Sequence, residues 1–112
     1  YFSEKIDEAT TYKINDIIID PGFGFAKTVS QNFNLLNHLD LFQTFGLPLL
    51  IGLSRKSMIY KTLGTTPQEA LNGTTAMHTV ALLKGANIIR AHDVKEAMEC
   101  VKLVEALKAN AS

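Results

Sequence analysis

Five polar side chains in this 112-residue chain stand where apolar runs stop. Asp20 follows Ile17, Ile18 and Ile19 and precedes Pro21-Gly22. Lys56 and Ser57 follow "LPLLIGLSR", and Arg90 and His92 follow Ile88 and Ile89. Side-chain type defines what each could do. An ionised carboxylate accepts two hydrogen bonds, and an ammonium or a hydroxyl donates. A guanidinium grips a phosphate or carboxylate through two parallel hydrogen bonds, and an imidazole adds a donor whose charge depends on pH. Such a set suits a polar, partly anionic small molecule. Plainer readings stay open on spacing alone. Asp20 before Pro-Gly is also an ordinary turn residue, Arg55 and Lys56 also suit a solvated helix start, and His92 beside Asp93 also suits helix capping. His38 and His78, inside helical stretches, read as structural or exposed, and Cys100 as a small residue on a helix.

The elements that would position these groups alternate. "SEKIDEATTYK" has helix formers, with Ile6 and Ala9 at helical spacing, and leads into a strand at Ile17–Asp20. "SQNFNLLNHLDLF" carries an apolar stripe (Phe33, Leu36, Leu39, with Leu35 or Phe42), which predicts a helix of about three turns with Ser30 as a possible N-cap. Gly46 closes it, and "LPLLIGLS" reads as a second strand. Helical pieces follow after Ser57, from Thr66-Pro67, and from about Thr74 to Lys84, with Gly85 as the stop. "ANIIRAHD" is a third strand. "DVKEAMECVKLVEALKA" is the last helix, with Asp93 and Glu96 spaced as a capping box and Val94, Ala97 or Met98, Val101, Val104 and Leu107 or Lys108 on its buried face. The order α-βα-βα-βα, with connections too long for hairpins, predicts an α/β fold with parallel strands apolar on both faces and right-handed crossovers in a single domain. Ligands of such folds sit at the carboxyl ends of strands, where all five polar residues fall. Strand parity places Ile88, Arg90 and His92 on one face.

Composition narrows the partners. Eleven basic and eleven acidic residues cancel and 46% of residues are hydrophobic, with no Lys/Arg-rich run, so nucleic acid and polybasic membrane binding are not expected. No apolar segment reaches the roughly 18 residues of a membrane span, and the first ten residues lack a signal-peptide layout; the expected location is cytoplasmic. One cysteine excludes an internal disulfide framework. "GFG" lacks the G-x-G-x-x-G spacing of a dinucleotide site, and no zinc-ligand set or nucleophile-base pair emerges from spacing.

Three long stretches, "DPGFGFAKT", "LPLLIGLSRKSMI" and "ANIIRAHDVKE", resemble in order and spacing the C-terminal motifs of the dihydropteroate synthase family. The resemblance spans essentially the whole chain. It implies the C-terminal part of a TIM (β/α)8 barrel and an enzyme of folate biosynthesis, the target of sulfonamides. That enzyme joins 6-hydroxymethyl-7,8-dihydropterin pyrophosphate to p-aminobenzoate and releases pyrophosphate, with Mg2+ as helper. By the same resemblance Asp20 binds the pterin ring, while Pro21, Gly22 and Gly24 turn the chain so that Phe23 and Phe25 wall the mouth. Phe25 then borders p-aminobenzoate, and Ser57 meets the p-aminobenzoate carboxylate. Lys56, Arg90 and His92 are implied to be catalytic: Lys56 on the pterin carbonyl and ring nitrogen, Arg90 packed on the pterin, and Arg90 with His92 on the phosphates. No metal ligand is expected within this chain. Ala26 stands where the family usually has glycine, and Tyr60 where glycine is frequent; both are expected to tune rather than remove the site.

A TIM barrel has eight βα units in about 250 residues, whereas three units and a leading helix are read here. The chain alone is therefore expected to be inactive and to associate, as a homodimer or with the missing half, because three parallel strands leave two raw sheet edges. A pterin-binding methyltransferase domain, or a non-catalytic barrel fragment acting in assembly, is the alternative.

Overall fold

The computed structural model describes residues 20–24 and 27–111. The expected leading helix and the first strand up to Ile19 lie outside them, as does Phe25. The described chain runs through α1 (Val29–Asn37), a 3₁₀ segment (Leu39–Phe45), β1 (Leu50–Ile51), α2 (Ser57–Leu63), a 3₁₀ turn (Pro67–Glu69), α3 (Leu71–Leu83), β2 (Ile88–Ile89) and α4 (Val94–Ala109). The βα alternation is as expected. None of the described helices is long and apolar enough to cross a membrane.

β1 and β2 pair in parallel, Leu50 opposite Ile88 and Ile51 opposite Ile89. The Arg90 amide donates to Ile51 O at 2.9 Å, extending the ladder by one bond. The Asn87 side chain starts the register by accepting from the Leu49 amide at 2.9 Å. Period-2 alternation sends Leu49, Ile51 and Leu53 to one face, and all three are buried among Leu36, Leu39, Met58 and Ala81. The other face carries Leu50, Gly52, Ile88 and Arg90. Both faces of the two strands are apolar, as expected; the described helices cover the face with Leu49, Ile51 and Leu53, while Ile88 on the other is 36% exposed.

Local chemistry explains the remaining differences. The N-cap of α1 is Thr28, two residues before the expected Ser30. The Thr28 hydroxyl accepts from the Gln31 amide while the Gln31 side chain accepts from the Thr28 amide, a complete capping box. The expected three-turn helix breaks at His38, whose ring bonds Asn34 O, and continues as 3₁₀. On α4 the buried side is Ala97, Cys100 and Val104, rotated from the expected one, with Val94 and Leu107 exposed. Packing of α4 on α3 through Leu82, Cys100 and Val104 sets that rotation. Lys108 in the last turn of α4 donates to Leu82 O at 3.0 Å, fastening the two helix ends together.

Candidate functional site

The site is built on the turn Asp20–Gly24. Asp20 Oδ1 accepts from the Gly22 amide at 3.0 Å, an Asx-type turn, and Gly22 has φ +75°, a conformation open to glycine at no steric cost. Every carbonyl that follows is held. Lys27 Nζ donates to Gly22 O at 2.7 Å, and Lys56 Nζ donates to Phe23 O at 2.6 Å. The buried Asn32 of α1 spans both polar groups of Gly24, accepting from its amide at 3.3 Å and donating to its carbonyl at 3.4 Å. Phe23, expected to wall the mouth, is instead a core residue at 5% exposure. Its ring pins the turn to the hydrophobic core that also holds Leu36, Leu49 and Leu53, and its carbonyl is what faces Lys56.

Arg90, at the carboxyl end of β2, brings its NH1 to 3.7 Å from Asp20 Oδ2, with 61% and 43% of the two side chains exposed. An exposed pair at that distance contributes little stability, typically about 0–1 kcal/mol, so both groups remain available to a ligand. The guanidinium lies over Gly52: a Cβ there would fall 2.9 Å from Arg90 Cζ and clash with NH2. The flat side chain therefore depends on a glycine in the neighbouring strand. Asp20, Lys56 and Arg90, separated by up to 70 positions in sequence, meet around one turn at one end of the sheet.

Arg55 and Lys56 part company. Arg55 takes φ +54°, a left-handed conformation that costs a residue with a Cβ on the order of 1–2 kcal/mol. Its guanidinium forks onto Asp93, Nε to Oδ2 at 2.8 Å and NH2 to Oδ1 at 3.0 Å, while NH1 reaches Pro67 O at 2.7 Å and Gln68 O at 2.9 Å. The expected capping box of Asp93 and Glu96 does not form. Asp93 occupies the N-cap position of α4 but makes no side-chain cap bond, having spent its carboxylate on Arg55. The hydrogen bond from Arg55 holds the Asp93 carboxyl below its ordinary range, and the same bond raises the guanidinium. Lys56, the N-cap of α2, turns the other way toward Phe23.

Ser57 opens α2 and lines, with Gly24, Arg55, Lys56, Tyr60 and Pro67, a cleft of about 210 Å³. An engineered cavity of about 150 Å³ holds benzene, so this cleft suits a single small ring. His92 is exposed in a bend just after β2, and its amide donates to Ser54 Oγ at 3.1 Å. Strand parity reaches Arg90 but stops short of His92. Behind this end of the sheet His78 is 2% exposed and its Nε2 has no hydrogen-bond partner; burial lowers its pKa, against the pull of Asp93. Sequence reasoning missed Asn32, Lys27 and the Arg55–Asp93 pair. Asn32 had a signal, an amide on the apolar side of a helix, whereas the partners of Lys27 and Arg55 are set by tertiary packing.

A family model described as "Pterin binding enzyme" matches residues 1–92. The dihydropteroate synthase of Escherichia coli K12 is 47% identical over 108 residues, covering 95% of this chain and 38% of that protein. The Yersinia pestis enzyme in complex with a pterine-sulfa conjugate superposes with TM-score 0.94 at 42% identity, over 98% of this chain and 44% of that one. The Coxiella burnetii dihydropteroate synthase in complex with pteroic acid gives 0.93 at 43% identity, over 98% and 42%. The chain thus spans well under half the length of these relatives. It belongs to the pterin-binding enzyme family.

Proposed function

We propose that this chain forms the C-terminal, three-unit part of the (β/α)8 barrel of a dihydropteroate synthase. There it contributes to condensing 6-hydroxymethyl-7,8-dihydropterin pyrophosphate with p-aminobenzoate, giving dihydropteroate and pyrophosphate. The carrying observation is the convergence of Asp20, Lys56 and Arg90 on the Asp20–Gly24 turn. Asp20, fixed by its Asx turn, accepts from the donor edge of the flat pterin. Lys56 has one of its three donors on Phe23 O and turns the others to the pterin carbonyl and ring nitrogen. Arg90 covers the pterin and, with His92, neutralises the departing diphosphate. The bond from the pterin methylene to the diphosphate oxygen breaks, the arylamine nitrogen forms the new bond to that methylene and gives up one proton to solvent, so stabilising the leaving charge is what lowers the barrier. No covalent enzyme intermediate is required. Ser57, beside the small cleft, receives the p-aminobenzoate carboxylate at the start of α2, and Phe25 borders the same subsite. The names of the matching relatives favour this over a methyltransferase.

Among the described residues no three His, Cys, Asp or Glu side chains converge. We propose that any Mg2+ is held mainly by other parts of the barrel. Exposed Leu103, Leu107, Met98 and Leu83 on α3 and α4 favour pairing of two copies through these helices.

The test uses the complete polypeptide that contains this segment. Supplied with both substrates it is expected to form dihydropteroate, and Lys56→Ala, Arg90→Ala and Asp20→Asn are each expected to lower kcat/KM by about tenfold or more. Failure of the wild-type protein to bind the pterin pyrophosphate by calorimetry would refute the assignment.

A further inference from the structure

The proposed chemistry assigns no task to Arg55 or Asp93, yet this pair is the most heavily bonded polar unit in the described chain. Arg55 makes four side-chain hydrogen bonds, two to Asp93 and one each to Pro67 O and Gln68 O. Its amide donates to Thr74 Oγ1 of α3 at 2.9 Å. One residue therefore ties together four segments: the end of the β1 strand run, the 3₁₀ turn, α3 and the start of α4. Two further details show that local preference was overridden to make the tie. Arg55 holds a left-handed backbone conformation that a residue with a Cβ adopts only at a cost. Asp93 stands at a helix N-cap and leaves the cap unmade. With its charge matched by Asp93, Arg55 is spoken for, unlike Arg90. What it does touch is the small cleft. Pro67, whose carbonyl it holds, forms one wall, and Lys56 and Ser57 follow it in the chain. On the other side Asp93 is joined to His92, whose amide bonds Ser54, the residue before Arg55.

We infer that Arg55 and Asp93 are positioning residues that set Ser57 and Pro67 around the p-aminobenzoate subsite and Lys56 beside it, an inference that rests on the function proposed above. The geometry accounts for the division within "SRKS": the turn sends Arg55 toward Asp93 and Lys56 toward Phe23. Lysine cannot replace Arg55, because a single ammonium cannot fork onto a carboxylate while also holding two carbonyls.

Two variants of the complete polypeptide test this, Arg55→Lys and Asp93→Ser. The serine can supply the α4 cap that Asp93 does not make, which separates loss of the tie from loss of helix capping. Steady-state kinetics are expected to show KM for p-aminobenzoate raised about tenfold or more in both variants, and severalfold more than KM for the pterin substrate, which Lys56 and His92 also serve. A purely structural pair would lower the melting temperature and leave the two KM values in their wild-type ratio, and that result would overturn the inference. A second readout needs no turnover. Hydrogen exchange in the same variants is expected to quicken about tenfold at the Arg55, Lys56 and His92 amides while the interior of α3 keeps its protection. Wild-type exchange at those three amides in both variants would overturn the inference even if the protein made no dihydropteroate, an outcome that would separately defeat the functional assignment.

Discussion

Gly52→Ala should separate function from stability at this site. The β1 strand run passes beneath the Arg90 guanidinium, and an alanine Cβ at position 52 would lie 2.9 Å from Arg90 Cζ and 3.1 Å from Nε. Non-bonded contacts to carbon are comfortable at about 3.5–4.0 Å and NH2 would lie closer than Cζ, so the guanidinium must retreat by roughly 1 Å or more. The retreat is cheap for the fold. Arg90 is a flexible side chain, its 3.7 Å pair with Asp20 is largely exposed, and such pairs contribute about 0–1 kcal/mol. Removing a glycine also stabilises by about 0.4–1 kcal/mol through the unfolded chain. Unfolding free energy in urea is thus expected to change by less than about 1 kcal/mol. A charge-assisted hydrogen bond to substrate contributes more, about 1.5–3 kcal/mol, so kcat/KM for dihydropteroate formation should fall about ten- to hundredfold. The double variant with Arg90→Ala should be no worse than Arg90→Ala alone, since both substitutions act through one group. Unchanged kcat/KM in Gly52→Ala, or fully additive losses in the double variant, would refute the reasoning.

Three further outcomes are expected. Phe23→Ala should cost about 3–5 kcal/mol in denaturant unfolding, because the ring is a core residue at 5% exposure; a loss under 1 kcal/mol would return Phe23 to the mouth of the site. His78 is buried with Nε2 unpartnered and its pKa is lowered. The unfolded chain therefore takes up the proton first as pH falls below about 6.5, and stability declines there by up to about 1.4 kcal/mol per pH unit. Unfolding between pH 7.5 and 5.5 should show the decline setting in below about 6.5, and His78→Phe should flatten it. Tyr60→Ala, by removing one wall of the 210 Å³ cleft, should lower KM for arylamines bulkier than p-aminobenzoate relative to p-aminobenzoate itself; an unaltered ratio would place the arylamine elsewhere.

What the sequence disclosed and what it hid follow a physical line. Apolar periodicity and glycine stops located the βα alternation, and position at strand ends singled out Asp20, Lys56 and Arg90, because those signals are local. Asp93 illustrates the limit. Its spacing to Glu96 spells a capping box, yet Arg55, 38 positions away, takes the carboxylate, and nothing local can announce a partner that distant. Phe23 fails for a related reason, since a residue between two glycines reads as a loop tip until the core beneath it is known. α4 shows the same limit in packing. A helix with apolar residues at many positions can bury any of several sides, and contact with Leu82 of α3 chose the one that carries Cys100 and Val104.

The polar groups at this end of the sheet divide by whether their bonding capacity is spent. Asn32 satisfies Gly24 on both sides, Arg55 and Asp93 satisfy each other, and Lys27 is held on the Gly22 carbonyl; these make the frame. Among the described residues Arg90 has only a long, exposed ionic partner, and Lys56 keeps donors to spare beyond Phe23 O; these can exchange a protein contact for a ligand. A spent frame beneath unspent groups is the arrangement that preorganised electrostatics requires, because the frame fixes direction while the free valences meet the charge that develops.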